Sequence, residues 1–500
     1  MDYLNLIPRP QEVTVSEDIW FEAHRGICIK THSTFSELIP LVTQELLSME
    51  LTVQGGPAET TIHFIQDATV AHQEGYMLEI TKDTITVTAA TKAGGFYALQ
   101  TLKQLALSKE GKNLFPGCTI NDYPQFSWRG LMLDCGRNFF PVSFICKLLD
   151  LAALHKLNIF HWHLTDDQGW RLPVEKYPLL TEIGGWRIDN RTKKFSGKVG
   201  GSYTEEEIKT IVRYAADRCI TVVPEIDMPG HMSSLLASYP GFGCTGGPYA
   251  VEDAFGVFDD VLCMGNKDLF SLIEDIFDSV IKLFPGKYIH IGGDECPRTR
   301  WEKCPKCQKK IEELGLTSAG QLQPWFVSKL ANMLESKGKI AIGWDEVLDD
   351  ADNLPSQLMV QSWRGIEGGK KGAATGHRVI MSPSTNGCYL DYRNYPDPME
   401  MGRQYDTTTV KNSYDFSAIP EGMTAEEAEY VVGGQGNMWT EEVYYGRIAE
   451  YLLFPRLSAL SEALWLAPEK KSFDSFKTRL PEHKKRLRIL DVLYYDGKLE

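Results

Sequence analysis

Short apolar segments recur along residues 129–436, and helical patterns lie between most of them. Each segment has the length and the β-branched content of a buried strand, and the stretches between them place apolar residues three and four positions apart. Eight strands that alternate with helices are typical of a closed parallel barrel. The predicted strands are Arg129–Asp134, Leu157–His163, Cys219–Ile226, Tyr288–Gly292, Ile340–Trp344, Gln357–Gln361, Arg378–Met381 and Val431–Gly436.

The predicted fold class is therefore α/β, a (β/α)₈ TIM barrel over residues 121–500 preceded by a small α+β domain over residues 1–120. The N-terminal part alternates strand patterns with two helical patterns, the second at 92–107. It carries no concentration of His, Cys or paired acids, so we expect it to be a structural companion of the barrel.

Helices predicted for the barrel include 205–217, 269–283 and 321–336, and two final helices at 447–464 and 472–487 close it. The gap between the fifth and sixth strands leaves room for only a stunted helix.

Polar and aromatic side chains follow nearly every predicted strand. In a TIM barrel the carboxyl ends of the strands carry the chemistry, so these residues are expected to share one site. Tryptophans cover the apolar face of a sugar ring, while acids, Arg and His bind its hydroxyls. The strands lead, in order, to Asp134 and Arg137, 161–167, 225–231, Asp294 and Glu295, 344–346, Trp363 and Arg364, 389–391, and 437–441.

One strand ends at Gly292-Gly293 and is followed at once by Asp294 and Glu295. Neighbouring side chains on a regular strand point to opposite faces, but glycines let the backbone leave that geometry, so both acids can face one cavity. Alone, such a pair is more often an acidic turn before a helix. Beside the other strand ends it indicates glycoside hydrolysis, in which a carboxylic acid of raised pKa protonates the leaving oxygen.

The net charge of −15 argues against nucleic-acid and membrane partners, because both require a basic surface. No apolar run reaches the ~18 residues of a membrane span, and the first residues lack the pattern of an export signal. The ending Lys498-Leu499-Glu500 resembles the scar before a purification tag. The compartment stays open: periplasmic or secreted if an export signal was removed before Met1, and cytoplasmic otherwise.

Eleven cysteines are too scattered for a small disulfide scaffold. Cys296, Cys304 and Cys307 include a Cys-Pro-Lys-Cys turn that suits a metal knuckle, but a fourth ligand is not evident nearby. Cys244 and Cys263 are candidates only if folding brings them close. Reduced thiols or a local disulfide are the alternatives.

His161 and His163 point the same way on one strand, so they are candidate metal ligands together with Asp166 or Asp227. Buried histidines paired with carboxylates are the commoner arrangement. We therefore expect no catalytic metal and no cofactor.

Several ordered motifs between about Asn121 and Trp465 resemble those of glycoside hydrolase family 20, the β-N-acetylhexosaminidases. The N-terminal part, with 94–100, is similar to the domain that precedes the barrel in this family. The motifs are His-Ile-Gly-Gly-Asp-Glu-Cys (290–296), His-Trp-His-Leu-Thr-Asp-Asp (161–167), Pro-Glu-Ile-Asp-Met-Pro-Gly-His (224–231), Gly-Trp-Asp-Glu (343–346), Gln-Ser-Trp-Arg (361–364), Tyr-Leu-Asp (389–391) and Trp-Thr-Glu (439–441).

The resemblance implies removal of a terminal β-linked N-acetylglucosamine or N-acetylgalactosamine from glycans with retention. The acetamido oxygen of the substrate attacks C1, giving an oxazolinium intermediate, in place of a protein nucleophile. Glu295 is then expected to act as general acid and base, and Asp294 to accept the acetamido N–H and balance charge. Tyr389 is expected to donate to the acetamido oxygen.

By the same resemblance, Arg137 and Glu441 bind O3 and O4, Asp391 lies in the same pocket, and three tryptophans wall the acetamido group. Asp166, Asp227 and His231 are expected behind these residues, with His231 hydrogen-bonded to Glu295. The three tryptophans are Trp344, Trp363 and Trp439.

Other functions remain open at this point: a relative specific for 6-sulfated N-acetylglucosamine, a disaccharide-releasing relative, or an inactive carbohydrate-binding barrel. The sequence leaves the preferred epimer, the linkage and the oligomeric state undetermined.

Overall fold

The computed structural model describes residues 4–23, 26–54, 60–109, 112–189, 197–351 and 353–500. The N-terminal part of this range forms one twisted sheet with two α-helices. Its elements are β1 (Glu12–Ala23), β2 (Gly26–Thr31), α1 (Ile39–Ser48), β3 (Thr52–Gln54), β4 (Thr60–Gln66), β5 (Tyr76–Ile80), β6 (Thr84–Ala89), α2 (Lys92–Leu105), β7 (Leu107–Lys109) and β8 (Lys112–Asp122).

The strand order in this sheet is β1-β8-β5-β6-β4-β2-β3, and β7 pairs with β8. Strands β5 and β6 form an antiparallel hairpin, whereas β4 runs parallel to β6. Helix α2 begins where the Thr91 side chain accepts a hydrogen bond from the Gly94 N–H. Its apolar residues, including Phe96 and Leu99, are buried in the domain's core.

Eight parallel strands of the described residues close into the predicted TIM barrel, in the order β9-β10-β15-β16-β17-β18-β19-β22. This confirms the predicted fold class. The strands of this part are β9 (Trp128–Asp134), β10 (Ile159–His163), β11 (Thr165–Asp166), β12 (Gly169–Trp170), β13 (Trp186–Asp189), β14 (Gly197–Gly200), β15 (Thr221–Glu225), β16 (Tyr288–His290), β17 (Ile340–Trp344), β18 (Met359–Ser362), β19 (Val379–Met381), β20 (Tyr392–Arg393), β21 (Arg403–Thr407) and β22 (Val431–Met438).

Helices surround the barrel, and none of them within the described residues is both long and apolar enough to cross a membrane. The helices are α3 (Val142–Leu154), α4 (Leu179–Glu182), α5 (Glu205–Asp217), α6 (Ser233–Ser238), α7 (Leu269–Leu283), α8 (Thr299–Lys303), α9 (Pro305–Leu314), α10 (Leu322–Ser336), α11 (Glu367–Ala374), α12 (Val410–Asp415), α13 (Ala425–Ala428), α14 (Gly446–Leu453), α15 (Arg456–Trp465) and α16 (Phe473–Ile489).

Two of the predicted barrel helices are shorter in the structure than a regular barrel helix. In its described residues, the connection between the fifth and sixth barrel strands holds one 3₁₀ turn, Asp345–Leu348, as its short length predicted. The helix predicted over residues 447–464 is instead two helices, α14 and α15, separated at Phe454 and Pro455. Proline lacks the N–H that a continuous helix needs and its ring crowds the preceding turn, so the helix ends there.

The parallel register brings the charged ends of neighbouring strands to one level. His163 lies beside Asp134 on one side and Glu225 on the other, and Glu225 lies beside His290. An apolar cluster fills the barrel below this layer, and an aromatic cluster lies above it. The register therefore creates a buried polar layer directly beneath the candidate site.

A buried carboxylate joins the N-terminal sheet to the barrel. Asp122, at the end of β8, accepts hydrogen bonds from Lys156 Nζ, Tyr76 Oη and Trp465 Nε1, each at 2.7 Å. Lys156 and Asp122 are both fully buried. A buried ion pair costs desolvation energy unless other hydrogen bonds complete it, and here Tyr76 and Trp465 do so.

Candidate active site

The backbone after β16 turns sharply at two glycines. Gly292 and Gly293 have φ angles of 68° and 96°, a region that side chains rarely adopt. A Cβ atom at Gly292 would lie 1.6 Å from Asp227 Oδ1, and the Gly293 N–H donates to that same oxygen at 3.2 Å. This turn directs Asp294 and Glu295 into one cavity. Glu295 itself has a φ of 43°, a strained value that the surrounding structure maintains.

The cavity has a volume of about 230 Å³ and lies at the carboxyl ends of the barrel strands. All predicted site residues line it except Asp166, Asp227, His231 and Asp391. Three further residues, Tyr392, Arg403 and Tyr405, were not predicted. The lining residues are Arg137, Asp294, Glu295, Trp344, Trp363, Tyr389, Tyr392, Arg403, Tyr405, Trp439 and Glu441.

Hydrogen bonds fix the aromatic walls of the cavity. Trp344 Nε1 donates to Glu225 Oε1 and Trp363 Nε1 donates to Glu346 Oε2, each at 2.8 Å. The rings of Trp363 and Tyr389 lie nearly parallel, with centroids 6.3 Å apart. These hydrogen bonds fix the orientation of both indole rings in the cavity wall.

Tyr389 presents a phenol that stays protonated, since burial raises its pKa well above the ordinary value. The Trp439 side chain donates to the Tyr389 oxygen, so the phenol proton is available to a ligand.

His231 connects the acid pair to two further carboxylates. Its Nε2 lies 3.4 Å from Glu295 Oε2 and 3.8 Å from Asp294 Oδ2. Its Nδ1 lies 2.9 Å from Asp167 and 3.3 Å from Asp166. Burial opposes the charge on this ring, but the carboxylates outweigh burial and raise the pKa of His231 well above its usual range.

The two adjacent acids have pKa values shifted in opposite directions. The hydrogen bond from His231 lowers the pKa of Glu295, whose side chain is 37% exposed. Burial raises the pKa of Asp294, whose side chain is 11% exposed. The sequence predicted a raised pKa for the proton donor of the pair. In the free protein that raised pKa is found on Asp294, because Asp294 is buried and Glu295 faces both His231 and solvent.

In the layer beneath the cavity, His161 and His163 contact buried carboxylates. His163 contacts Asp166 at 2.8 Å through Nε2 and Glu225 at 2.5 Å through Nδ1. Although burial disfavours its charge, Glu225 and Asp166 raise the pKa of His163 well above its usual range. Both ring nitrogens of His163 therefore carry protons.

His161 is neutral, since burial lowers its pKa to about 4. Its Nδ1 accepts from Gln435 at 2.9 Å, and its Nε2 lies 2.9 Å from Glu225. Of the predicted metal ligands, His163, Asp166 and Asp227 have ligand atoms within 4.8 Å of one another, whereas His161 groups with Glu225 and His290.

Asp166 and Asp227 lie behind the cavity. Asp166 forms an ion pair with Arg137 Nε at 2.9 Å, and Arg137 in turn lies over the ring of Trp439. Asp227 packs against the glycine turn, and burial together with nearby Asp294 raises its pKa well above the usual range.

A second acidic corner closes the other side of the cavity. Arg403 Nη1 lies 3.1 Å from Glu441 Oε1 and 3.9 Å from Asp391 Oδ2. Burial and the charge of Glu441 raise the pKa of Asp391 to about 8. Among the described residues, both Asp391 oxygens and Glu441 Oε2 are buried without a hydrogen-bond partner. Buried polar groups normally have a partner, so these oxygens are candidate acceptors for a ligand.

The three lining residues that were not predicted from the sequence belong to the segment between β19 and α12. Tyr392 directly follows the Tyr389–Asp391 motif, so its position in the sequence was a usable signal. Arg403 and Tyr405 lie on β21, which is not a barrel strand, and no strand end marks them.

Comparisons with known proteins agree with this geometry. A family model described as "Glycosyl hydrolase family 20, catalytic domain" matches residues 126–468, and one described as "Glycosyl hydrolase family 20, domain 2" matches residues 3–123. A β-hexosaminidase of Porphyromonas gingivalis is 37% identical over 98% of this chain, and the chain spans 64% of that relative's length.

Solved structures are similar over nearly the whole chain. A GH20 exo β-N-acetylglucosaminidase of Vibrio harveyi in complex with N-acetylglucosamine has a TM-score of 0.90 and 29% identity, covering 99% of this chain and 78% of that one. A β-N-acetylhexosaminidase of Bacteroides fragilis has a TM-score of 0.87 and 30% identity, covering 99% of both chains. By its barrel, its N-terminal domain and the matches to both family models, the chain belongs to glycosyl hydrolase family 20.

Proposed function

We propose that this chain is an exo-β-N-acetylhexosaminidase, which removes terminal β-linked N-acetylglucosamine or N-acetylgalactosamine from glycans with retention. The observation that carries the proposal is the pairing of buried Asp294 with partly exposed Glu295 in one cavity walled by tryptophans. The substrate's own acetamido oxygen would attack C1, so the reaction passes through an oxazolinium intermediate.

Asp294 and Tyr389 would position the acetamido group. Asp294 Oδ1 is a buried acceptor without a partner among the described residues, which suits the acetamido N–H. The phenol proton of Tyr389 would be donated to the acetamido oxygen. Holding an internal nucleophile in place beneath C1 replaces a bimolecular step by an intramolecular one, which is worth effective concentrations of ~10⁵–10⁸ M.

Glu295 would protonate the leaving oxygen and then deprotonate the attacking water. For this role Asp294 must be ionised and Glu295 protonated, which is the reverse of the pKa shifts in the free protein. Substrate binding would cause this reversal. An amide N–H that donates to Asp294 favours its ionised form, and an aglycone that covers Glu295 removes water and favours its protonated form. The two acids would therefore exchange their protonation preferences only when a complete substrate is bound.

Ring hydroxyls would be bound at the opposite side of the cavity. Arg137 and Arg403 supply donors there, and Glu441 and Asp391 supply buried acceptors. Ligands of drug size need cavities of ~300–1,000 Å³, so about 230 Å³ suits one sugar ring and not a chain. This size supports action at a chain end.

The assay that tests the proposal compares 4-nitrophenyl glycosides. We expect rapid release from the N-acetyl-β-glucosaminide, and release lower by about 10⁵-fold from the β-glucoside, which lacks the internal nucleophile. Galactosaminide and 6-sulfated substrates identify the epimer and the sulfate tolerance. Absence of release from every N-acetylated substrate would support an inactive binding barrel, and equal turnover of the glucoside would exclude substrate assistance.

Replacing His231 by Asn is expected to move both limbs of the kcat/KM pH profile to higher pH. The His231 imidazolium favours the ionised forms of Asp294 and Glu295, so its loss raises both pKa values. Turnover requires ionised Asp294 together with protonated Glu295, and kcat/KM reports the free enzyme, so raising both pKa values moves both limbs to higher pH whichever acid titrates first. His63→Asn, on β4 of the N-terminal sheet, is the matched control. Limbs that stay in place or move to lower pH would contradict this role of His231.

A further inference from the structure

Four cysteine sulfurs from three separate segments converge on one point outside the cavity. Cys244 and Cys263 lie between β15 and α7, and Cys304 and Cys307 lie at the start of α9. The Sγ separations are 3.7 Å for 244–307, 3.8 Å for 263–304 and 3.7 Å for 263–307, and all four sulfurs lie within 4.8 Å of one another. Cys296, which the sequence grouped with this motif, is not a member of the cluster.

We propose that Cys244, Cys263, Cys304 and Cys307 bind one structural Zn²⁺ as a tetrahedral tetrathiolate. In such a site each Zn–S bond is ~2.3 Å, which places the sulfurs roughly 3.8 Å apart. The three separations above agree with this spacing. A disulfide needs sulfurs ~2.05 Å apart, and all four residues have free thiols in the structure.

The backbone around the cluster is shaped for thiolates. Cys304 is the residue that precedes α9 and Cys307 is in its first turn, where the positive end of the helix favours a negative sulfur. The Gly265 N–H donates to the sulfurs of Cys263 and Cys307. A Cβ atom at Gly265 would lie 2.1 Å from the Lys306 carbonyl oxygen, so the two cysteine turns pack together only because residue 265 is glycine.

Isolated buried cysteines are usually small apolar residues, which is the simpler explanation for any one of these four. That explanation does not account for four sulfurs at metal-ligand spacing. Three of the four are buried and Cys244 is half-buried. Four sulfur ligands in tetrahedral geometry suit zinc or iron, of which zinc is the usual structural ion, and they leave no open position for catalysis. Binding releases the four thiol protons to solvent.

The zinc would fasten two segments that flank the acid pair. Leu262 N–H donates to the Pro229 carbonyl oxygen at 3.1 Å, and Trp301 Nε1 donates to the Leu262 carbonyl oxygen at 2.8 Å. Pro229 is two residues from His231 in sequence. Trp301 lies on α8, which follows Glu295 and precedes Cys304 in the chain. The metal would thus hold the His231 segment against the Glu295 segment. This role goes beyond the proposed hydrolase activity and does not depend on it.

Metal analysis of the purified full-length chain, prepared with zinc and a reductant, tests the proposal. We expect one zinc per chain by mass spectrometry of the elements, and loss of at least four-fifths of it in Cys307→Ser. Cys146→Ser, on α3, is the matched control and should retain the full content. Zinc that is absent from the wild type, or that persists in Cys307→Ser, would overturn the proposal, as would stoichiometric iron.

Two measurements on the wild-type chain keep the test valid even if Cys307→Ser fails to fold. Exchange with Co²⁺ alone should give the visible bands of tetrahedral cobalt and a sulfur-to-cobalt charge-transfer band. Thiol titration of the unfolded chain distinguishes the alternatives. Metal-free protein with all eleven thiols reactive would establish a reduced cluster without metal. Metal-free protein lacking the four cluster thiols would establish disulfides, and either result would refute the zinc site.

Discussion

Glu295→Gln should lower kcat/KM by about 10²–10⁴-fold on substrates with poor leaving groups, such as disaccharides. The amide keeps the shape of the side chain but has no proton to give to the leaving oxygen. Aryl glycosides with very acidic phenols need little protonation, so their first step should slow far less. The measurement is kcat/KM for a series of aryl N-acetyl-β-glucosaminides of increasing phenol pKa, and the slope of log kcat/KM against that pKa should steepen in the variant.

Glu346, which follows strand β17, provides the control for this experiment. Burial, reinforced by the nearby charge of Asp294, raises the pKa of Glu346 to about 9, so the side chain is protonated at neutral pH. Glutamine resembles a protonated glutamic acid, and it retains an oxygen that accepts from Trp363 Nε1. We therefore expect Glu346→Gln to leave the slope unchanged. Full activity of Glu295→Gln on disaccharides would refute the role of Glu295, and a steeper slope for Glu346→Gln would transfer that role to Glu346.

The fold was predictable because barrel strands leave a strong sequence signal. A strand buried on both faces is mostly apolar, so segments such as β17 and β19 are visible without knowledge of their partners. The division of residues 447–464 into two helices was missed because the apolar spacing continues across Pro455. Pro455 itself indicates a break in the helix.

The acid pair was predictable for a related reason: Gly292 and Gly293 interrupt a strand, and only a sharp turn explains two glycines there. The opposite pKa shifts of Asp294 and Glu295 were not predictable. They depend on burial and on His231, which approaches from a segment more than sixty residues away. Arg403 was missed because it lies on a loop strand, where no periodic pattern distinguishes it from other surface arginines.

The cysteine cluster also depends on residues that are distant in sequence. The Cys-Pro-Lys-Cys turn was visible as half of a metal site. The other half comes from Cys244 and Cys263, which are brought together by the bridge between Gly243 and Leu262. Sequence spacing placed Cys296 in the group because it is close along the chain. In the folded chain Cys296 does not belong to the cluster.

Asp294→Asn is expected to lower kcat by about 10²–10³-fold, similar to the loss of one preorganised group that stabilises charge in the transition state. The carboxylate would balance the positive charge that develops on the acetamido nitrogen, and that charge develops whatever the leaving group is. The loss should therefore be nearly constant across the aryl series, in contrast to that of Glu295→Gln. A thiazoline mimic of the oxazolinium should also bind the variant more weakly.

The control for Asp294 is Asp217→Asn, an exposed carboxylate at the end of α5 that should leave both measurements unchanged. Parity of Asp294→Asn with the wild type on aryl substrates would contradict the charge-balancing role. A loss that grew with the pKa of the leaving phenol would instead make Asp294 part of the proton-transfer step. Because the two acids are neighbours in sequence and share one cavity, only the dependence on the leaving group separates the acid that protonates oxygen from the acid that stabilises nitrogen. That separation is the strongest test of hydrolysis in which the substrate supplies the nucleophile.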